Sequence, residues 1–132
     1  MKGLIVLIAV LALFAKDGLV HGTADIGEEK MNALIGKHPV LVFSKSYCGH
    51  SKMAKHLVKG LYPQAKIVEL DQEAHGTAMQ NVLKSKYGHH TVPAVFVGDT
   101  LLGGNADVQK LNAKGELDQM INRVISEFED EL

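Results

Sequence analysis

The feature that most constrains this chain is its single cysteine, Cys48, one among 132 residues. Cys48 lies in Lys45-Ser-Tyr-Cys-Gly-His-Ser51, directly after the apolar run Val40-Leu-Val-Phe43. This pattern predicts a buried strand that ends in a turn, with a helix beginning beside the sulfur. A helix N-terminus and the charge of Lys45 both favour the thiolate, which is the nucleophilic form of cysteine. We therefore expect a reactive Cys48 that has no partner for an intramolecular disulfide.

The residues next to Cys48 bear on this expectation. A small, buried structural cysteine is the alternative, but the neighbouring side chains are polar or small. Ser51 stands three residues after Cys48, where a dithiol enzyme carries its second cysteine. Its hydroxyl can donate to the thiolate, cap the helix, or do both. His50 either tunes the pKa of the thiol or is an exposed bystander.

The two ends of the chain resemble targeting signals. The apolar run at residues 4–14 follows Lys2 and has the length of a signal-peptide core, shorter than a membrane-spanning helix. We predict a signal peptide at residues 1–24, one domain at residues 25–128, and a tail at residues 129–132. That tail, Glu-Asp-Glu-Leu, resembles the endoplasmic-reticulum retrieval signal in its last three residues.

These signals predict a protein of the secretory pathway, in the lumen of the endoplasmic reticulum, without stable membrane insertion after signal cleavage. The alternatives are an uncleaved anchor or a buried first strand at one end, and a frayed acidic helix end at the other. A net charge of −1 offers no basic face for nucleic acid. One cysteine also excludes a scaffold held together by disulfides.

The hydrophobic pattern after residue 25 predicts the element order α-β-α-β-α-β-β-α. Strands are expected at 40–43, 65–70, 94–97 and 100–102, and the last two flank a Gly98-Asp99 hairpin turn. A strand–helix–strand start implies parallel pairing, and the hairpin adds antiparallel strands, so the sheet is mixed.

Two further motifs follow the cysteine. In Thr91-Val-Pro93, a cis bond before the proline would let Val92 offer its backbone groups to an extended peptide, and an ordinary strand entry is the alternative. Gly103-Gly-Asn-Ala-Asp107 can offer backbone N–H groups to a carboxylate, with Asp107 near an ammonium group. An ordinary turn with a solvated aspartate is the alternative there.

Together, Lys-x-x-Cys-x-x-Ser, Thr-Val-Pro and Gly-Gly-x-x-Asp resemble the glutaredoxin family over about residues 25–128. The resemblance implies a thioredoxin-like three-layer α/β/α sandwich with a four-stranded mixed sheet. It also implies glutathione binding. Lys45, with help from Gln80, would hold the glycyl carboxylate, and Tyr47 would line the groove. The remaining positions implied to bind glutathione are Thr91, Val92, Pro93 in the cis form, Ala106 and Asp107.

The active-site motif departs from the dithiol pattern Cys-Pro-Tyr-Cys. Cys48-Gly-His-Ser51 looks like the monothiol branch, whose hallmark is Cys-Gly-Phe-Ser. The insertion and the Trp-Pro motif of that branch are missing, and the body, with Thr-Val-Pro-Ala-Val-Phe-Val, resembles the dithiol-type class. His89-His90 stands where family members often carry a basic residue near the glutathione carboxylate.

The resemblance implies an enzyme, a glutathione-dependent thiol–disulfide oxidoreductase that acts on glutathionylated proteins by a monothiol mechanism. Cys48 would be the nucleophile, with Ser51 as the second catalytic residue. The alternative is a homodimer that binds one [2Fe–2S] cluster through Cys48 of each subunit and two glutathione thiols. Gly49 and Ser51 favour that alternative, because a small residue after the cysteine leaves room for a cluster.

Overall fold

The computed structural model describes residues 24–132, which form one four-stranded sheet with helices on both faces. In chain order the elements are α1 (Ala24–Lys37), β1 (Val40–Ser44), α2 (Gly49–Leu61), β2 (Lys66–Glu69), α3 (Gly76–Tyr87), β3 (Ala94–Val97), β4 (Thr100–Gly103), α4 (Asn105–Ala113) and α5 (Glu116–Asp130). The predicted order is confirmed except for one helix. The residues after the hairpin form α4 and α5, and Gly115 separates them with a φ of 73°.

The sheet is mixed, as predicted, with the strand order β2-β1-β3-β4. β1 pairs in parallel with β2 through the α2 crossover, and antiparallel with β3. β3 and β4 form the antiparallel hairpin around Gly98-Asp99. Because β1 is central, its carboxyl end meets the start of α2 and the start of β3 at one edge of the sheet. Cys48 lies at that edge.

Both faces of the sheet are buried, which explains the continuous apolar runs of the central strands. Leu41 and Phe43 of β1 face α1 and α3, where Phe43 meets the ring of Phe96 edge-on at 5.8 Å between centroids. Val40 and Val42 face the opposite way, toward α2, α4 and α5. The alternation produces two apolar layers, so the predicted three-layer α/β/α sandwich is confirmed.

The two chain ends carry the predicted targeting signals. Residues 1–23 of the predicted signal peptide lie outside the described residues, and Ala24 is the first residue of α1. At the other end α5 continues to Asp130, so the first half of the predicted tail is helical. Leu132 is exposed. None of the helices in residues 24–132 combines the length and apolar character needed to cross a bilayer.

Candidate active site

Cys48 is the N-cap residue of α2, with extended backbone angles of φ −88° and ψ 122°. Its amide donates to the carbonyl of Lys45 at 3.0 Å, which closes the turn after β1, and its own carbonyl accepts from Lys52. The side chain is partly exposed. The buried strand and the helix behind it therefore fix the sulfur at the protein surface, beside the N-terminal amides of α2.

This position lowers the pKa of the Cys48 thiol. The largest cause is a hydrogen bond from the Ser51 hydroxyl, followed by one from the Ser51 amide, and desolvation opposes both. The His50 amide and the charge of Lys45 contribute less. Hydrogen bonds to the ionised form favour it, so the thiolate is stabilised mainly by the first turn of α2. Lys45, which the sequence presented as a main cause, is the smallest one.

Ser51 is fully buried under the cysteine turn. Its Oγ accepts a hydrogen bond from the Lys45 amide at 3.4 Å. The hydroxyl proton is then free to point toward the sulfur. Of the two roles considered for Ser51, the structure supports that of thiolate donor. Within residues 24–132 no side-chain hydrogen bond caps α2, and the Ser51 hydroxyl instead links the cysteine turn to α2 through the Lys45 amide.

The Cys48 sulfur faces the loop before β3. Its Sγ lies 3.9 Å from the carbonyl oxygen of Val92, and the Val92–Pro93 bond is cis, as the resemblance implied. The Val92 side chain packs against the core on the α1 and α3 face. Within residues 24–132 the Val92 amide has no protein partner. One backbone edge of Val92 is therefore available for pairing with an extended peptide.

A cavity of about 420 Å³, here called the Val92 groove, opens beside this loop. It is lined by His50, His89, Thr91, Val92, Pro93, Gly104, Asn105, Ala106 and Asp107. Five predicted glutathione-binding residues, from two separate motifs, thus line the same groove. The groove lies between the cis-proline loop and the N-terminus of α4.

Asp107 has a structural role besides any contact with a ligand. Its Oδ2 accepts a hydrogen bond from the Gly104 amide at 2.9 Å and so caps α4. Gly103, with a φ of 124°, makes room for this carboxylate, since a Cβ there would lie 2.2 Å from Asp107 Oδ2. The first glycine of the motif is therefore required by the position of Asp107.

His89 was predicted only as part of a basic pair, and the structure separates the pair. His90 is exposed, whereas His89 is partly buried and lines the Val92 groove. His89 Nε2 lies 2.9 Å from the Pro93 carbonyl oxygen, to which it donates. A Cβ on Gly104 would lie 3.7 Å from the His89 ring. The imidazole thus hydrogen-bonds to the cis-proline loop and lies close to Gly104, so it supports the groove on both sides. No sequence motif indicated this role.

The structure does not place every predicted residue in the groove. Lys45, Tyr47 and Gln80 are absent from its lining. Tyr47 is 71% exposed beside Cys48, and Lys45 is partly buried directly after β1. Gln80 is partly exposed on α3. The contact of these three residues with the glycyl end of glutathione remains a prediction.

An interaction that the sequence did not indicate fixes the cysteine turn from outside. Ser46 donates to the Asp71 carboxylate from its amide, at 3.0 Å, and from its hydroxyl. These two hydrogen bonds, more than the nearby charge of Lys45, lower the pKa of Asp71. Asp71 follows β2, so this contact ties the cysteine turn to the loop before α3. No local sequence motif indicates a contact between residues that are 25 positions apart.

Cys48 is the only thiol of the chain, and a metal would need ligands besides it. In the part of the chain that the structure describes, no three His, Cys, Asp or Glu side chains converge on a point that could hold a metal ion. A Cys48-ligated cluster would therefore need thiolates from outside the chain. What one chain offers is a stabilised thiolate next to a groove.

Comparison with known proteins identifies this arrangement. A family model described as Glutaredoxin matches residues 40–102. The chain is 40% identical over 95 residues to the chloroplastic monothiol glutaredoxin-S12 of Arabidopsis thaliana, covering 71% of this chain and 53% of that protein. It is 37% identical over 94 residues to glutaredoxin-1 of Rhizophagus irregularis, covering 71% of this chain and 93% of that protein.

Solved structures give the same result. The buckwheat glutaredoxin–glutathione complex matches with a TM-score of 0.73 and 35% identity, over 76% of this chain and 92% of that chain. The holo form of glutaredoxin C1 from Populus tremula x tremuloides matches with a TM-score of 0.73 and 33% identity, over 77% and 92%. The chain spans only 53% and 60% of the lengths of glutaredoxin-S12 and of rice monothiol glutaredoxin-S10.

Proposed function

The chain belongs to the glutaredoxin family, and we propose that it is a glutathione-dependent thiol–disulfide oxidoreductase that uses Cys48 alone. The observation that carries the proposal is the position of the Cys48 sulfur, 3.9 Å from the carbonyl of Val92, a residue that lines an open groove. A sulfur with a lowered pKa beside an unpaired backbone edge suits attack on a disulfide whose peptide lies along that edge.

The first step is thiol–disulfide exchange. The Cys48 thiolate attacks the glutathione sulfur of a protein–glutathione mixed disulfide, and a new Cys48–glutathione bond forms as the original S–S bond breaks. The electron pair leaves with the protein sulfur, which takes a proton from solvent. The mixed disulfide is thereby reduced at the protein, and Cys48 becomes glutathionylated.

A second glutathione completes the cycle. Its thiolate attacks the glutathione sulfur of the Cys48 adduct, so oxidised glutathione leaves and the Cys48 thiolate is restored. The Ser51 hydroxyl and the α2 amides stabilise the departing thiolate, which makes Cys48 a good leaving group. Since no enzyme disulfide is needed, Ser51 in place of a second cysteine is no obstacle. In an oxidising lumen the same steps run in reverse and glutathionylate proteins.

In this proposal glutathione lies along the Val92 groove. Val92 would pair its backbone with the cysteinyl residue of glutathione, with Thr91 and Pro93 beside it. Ala106 and Asp107 at the N-terminus of α4 would hold the γ-glutamyl end. Lys45, Tyr47 and Gln80 would contact the glycyl end beyond the groove. The solved buckwheat complex contains glutathione, which supports glutathione as the ligand.

The test is an assay of the purified protein with a glutathionylated peptide, coupled to reduction of oxidised glutathione. Cys48→Ser should abolish turnover and the mass gain of one glutathione per chain, whereas Ser85→Ala, on the exposed face of α3, should leave both unchanged. Deglutathionylation by Cys48→Ser would show that the nucleophile is wrongly assigned.

One observation favours a second function, the [2Fe–2S] dimer. A Cβ at Gly49 would meet no atom within 4 Å, so space is open next to the partly exposed Cys48. Two chains and two glutathiones would supply the four thiolates, and the cluster would serve electron storage or transfer. Purification without oxygen in the presence of glutathione tests this. A coloured, dimeric wild type and a colourless Cys48→Ser variant would support it, and a colourless monomeric wild type would reject it.

We also propose that the protein resides in the lumen of the endoplasmic reticulum. The apolar segment at residues 4–14 and the exposed Leu132 at the end of the tail support this location. Deletion of residues 129–132 should move the protein from the cell into the medium. Equal retention of the full and shortened chains would reject retrieval by this tail.

A further inference from the structure

A second cavity lies apart from the Val92 groove, on the α1 and α3 side of the sheet. It has a volume of about 540 Å³ and shares no lining residue with the groove. The C-terminal half of α1, the first residue of β2 and the loop before α3 surround it, and we call it the α1–β2 cavity. Its volume falls in the range typical of sites for small molecules.

The rim of the α1–β2 cavity is strongly cationic. Lys30 and Lys37 come from α1 and Lys66 comes from β2, whereas Glu73 is the only carboxylate in the lining. The ion pairs formed within residues 24–132 are Lys55 with Glu69 and Lys86 with Glu28. None of the three rim lysines is therefore neutralised by a carboxylate in the part of the chain that the structure describes.

The charges of these lysines act on His38, which lines the same cavity and is partly buried. Burial lowers the pKa of His38, and the charges of Lys66 and Lys37 lower it further. Two lysines from different elements thus act on one point in the cavity wall. His75, at the start of α3, adds a second imidazole to the lining.

The inner part of the cavity is apolar. Met79 of α3 is 3% exposed and Leu34 of α1 is partly buried, and both line the cavity beneath the charged rim. Lysine ammonium groups bind phosphate as point charges, and an apolar floor suits a flat organic group attached to it. Three unpaired cations match a ligand that carries several negative charges.

We propose that the α1–β2 cavity binds a small phosphate-bearing anion with at least two negative charges, either an inorganic polyphosphate or a nucleotide. Lys30, Lys37 and Lys66 hold the phosphate groups. In a nucleotide the base lies on the Leu34–Met79 floor. The site does not depend on the proposed function, because it involves no residue of the cysteine turn or the Val92 groove.

The test uses the full chain labelled with ¹⁵N, titrated separately with inorganic triphosphate and with ATP at low salt. Saturable shifts are expected at the amides of Lys37, His38, Lys66 and His75, and not at Thr91 or Asp107. ATP binding more tightly than triphosphate identifies a nucleotide site. Equal affinities identify the phosphate groups as the ligand, and both results support the proposal.

A matched pair of double variants distinguishes binding at the cavity from nonspecific attraction of the anion to surface lysines. Lys37→Gln/Lys66→Gln should weaken triphosphate binding about tenfold, since each removed cation contributes modestly at an exposed site. Lys110→Gln/Lys114→Gln removes the same charge from exposed positions outside the cavity and should leave the affinity unchanged. Triphosphate should also raise the melting temperature of the wild type more than that of the Lys37→Gln/Lys66→Gln variant. Absence of saturable shifts, or equal weakening in both variants, would overturn the proposal.

Discussion

The sulfur of Cys48 and the carbonyl oxygen of Val92 lie 3.9 Å apart, although 44 residues separate them in the chain. This distance is long for a strong hydrogen bond, so the contact holds the neutral thiol only weakly. The ionised sulfur instead accepts from Ser51 and the amides of α2, which lower the pKa of the thiol. The same sulfur therefore faces the backbone of Val92 on one side and the groups that ionise it on the other.

The first prediction concerns the pH at which Cys48 becomes reactive. The rate of alkylation of the wild type should reach half its maximum at a lower pH than that of a free cysteine, because the thiolate is the reacting form. Ser51→Ala removes the largest cause of the lowered pKa. We expect its midpoint to move upward and its turnover at pH 7 to fall severalfold.

Two observations would check the origin of that loss. Turnover of Ser51→Ala should recover at alkaline pH, where the thiol ionises without the hydroxyl. Ser85→Ala, a change of the same size at an exposed site, should keep the wild-type profile. An unchanged midpoint in Ser51→Ala would mean that the α2 amides alone set the pKa of Cys48.

The second prediction concerns His89, which donates to the Pro93 carbonyl at 2.9 Å. His89→Ala should raise the KM for the glutathionylated substrate, because the wall of the groove loses its brace. The maximal rate and the alkylation profile of Cys48 should change little, since His89 does not contact the sulfur. His89→Gln retains an N–H donor and should restore most of the affinity. A fall in kcat with an unchanged KM would contradict a positioning role.

The third prediction concerns Asp71, which accepts two hydrogen bonds from Ser46. Its pKa is lower in the folded than in the unfolded chain, so its stabilising effect is present above the unfolded value, about pH 4. The effect is lost as pH falls through the lower folded value. Urea unfolding should show Asp71→Asn less stable than the wild type at pH 7, with the difference shrinking in strong acid.

Asp71→Asn also loosens the cysteine turn, so the KM for the glutathionylated substrate should rise severalfold. Glu127→Gln removes one charge from the exposed face of α5 and serves as the control. If Glu127→Gln lost as much stability as Asp71→Asn at pH 7, the effect would reflect net charge and not the contact with Ser46.

Local sequence patterns were enough to predict most of the helices and strands of the fold. The apolar run before Cys48 predicted a buried strand, and the turn at Gly98-Asp99 predicted the antiparallel hairpin; both are confirmed. The division between α4 and α5 was harder to predict. Gly115 lies within a sequence pattern that is helical on both sides, and neither a proline nor a change in polarity follows it. The positive φ that separates the two helices could therefore be known only from the structure.

The site was predictable to the extent that its groups lie within motifs. Cys48 and Ser51 share one turn of helix, and Thr91, Val92 and Pro93 are consecutive. The bracing contacts were not predictable, because each joins a motif to a residue outside it, as Ser46 joins Asp71. The contribution of Lys45 to the lowered pKa of Cys48 was overestimated, because the sequence shows the lysine charge but not the hydrogen bonds from Ser51 that outweigh it.

The fourth prediction concerns Gly103, whose backbone conformation affects the position of the site residue Asp107. Gly103 has a φ of 124°, and a Cβ there would lie 2.2 Å from Asp107 Oδ2. Gly103→Ala should reduce the free energy of unfolding by about 1–3 kcal/mol and raise the KM for glutathione, because the carboxylate must move. The control, Gly60→Ala in α2, has no atom within 4 Å of the added Cβ and should stabilise the protein by about 0.5–1 kcal/mol. Denaturant unfolding and steady-state kinetics on both variants give the comparison. A Gly103→Ala variant with wild-type stability and KM would show that the turn can rearrange without displacing Asp107.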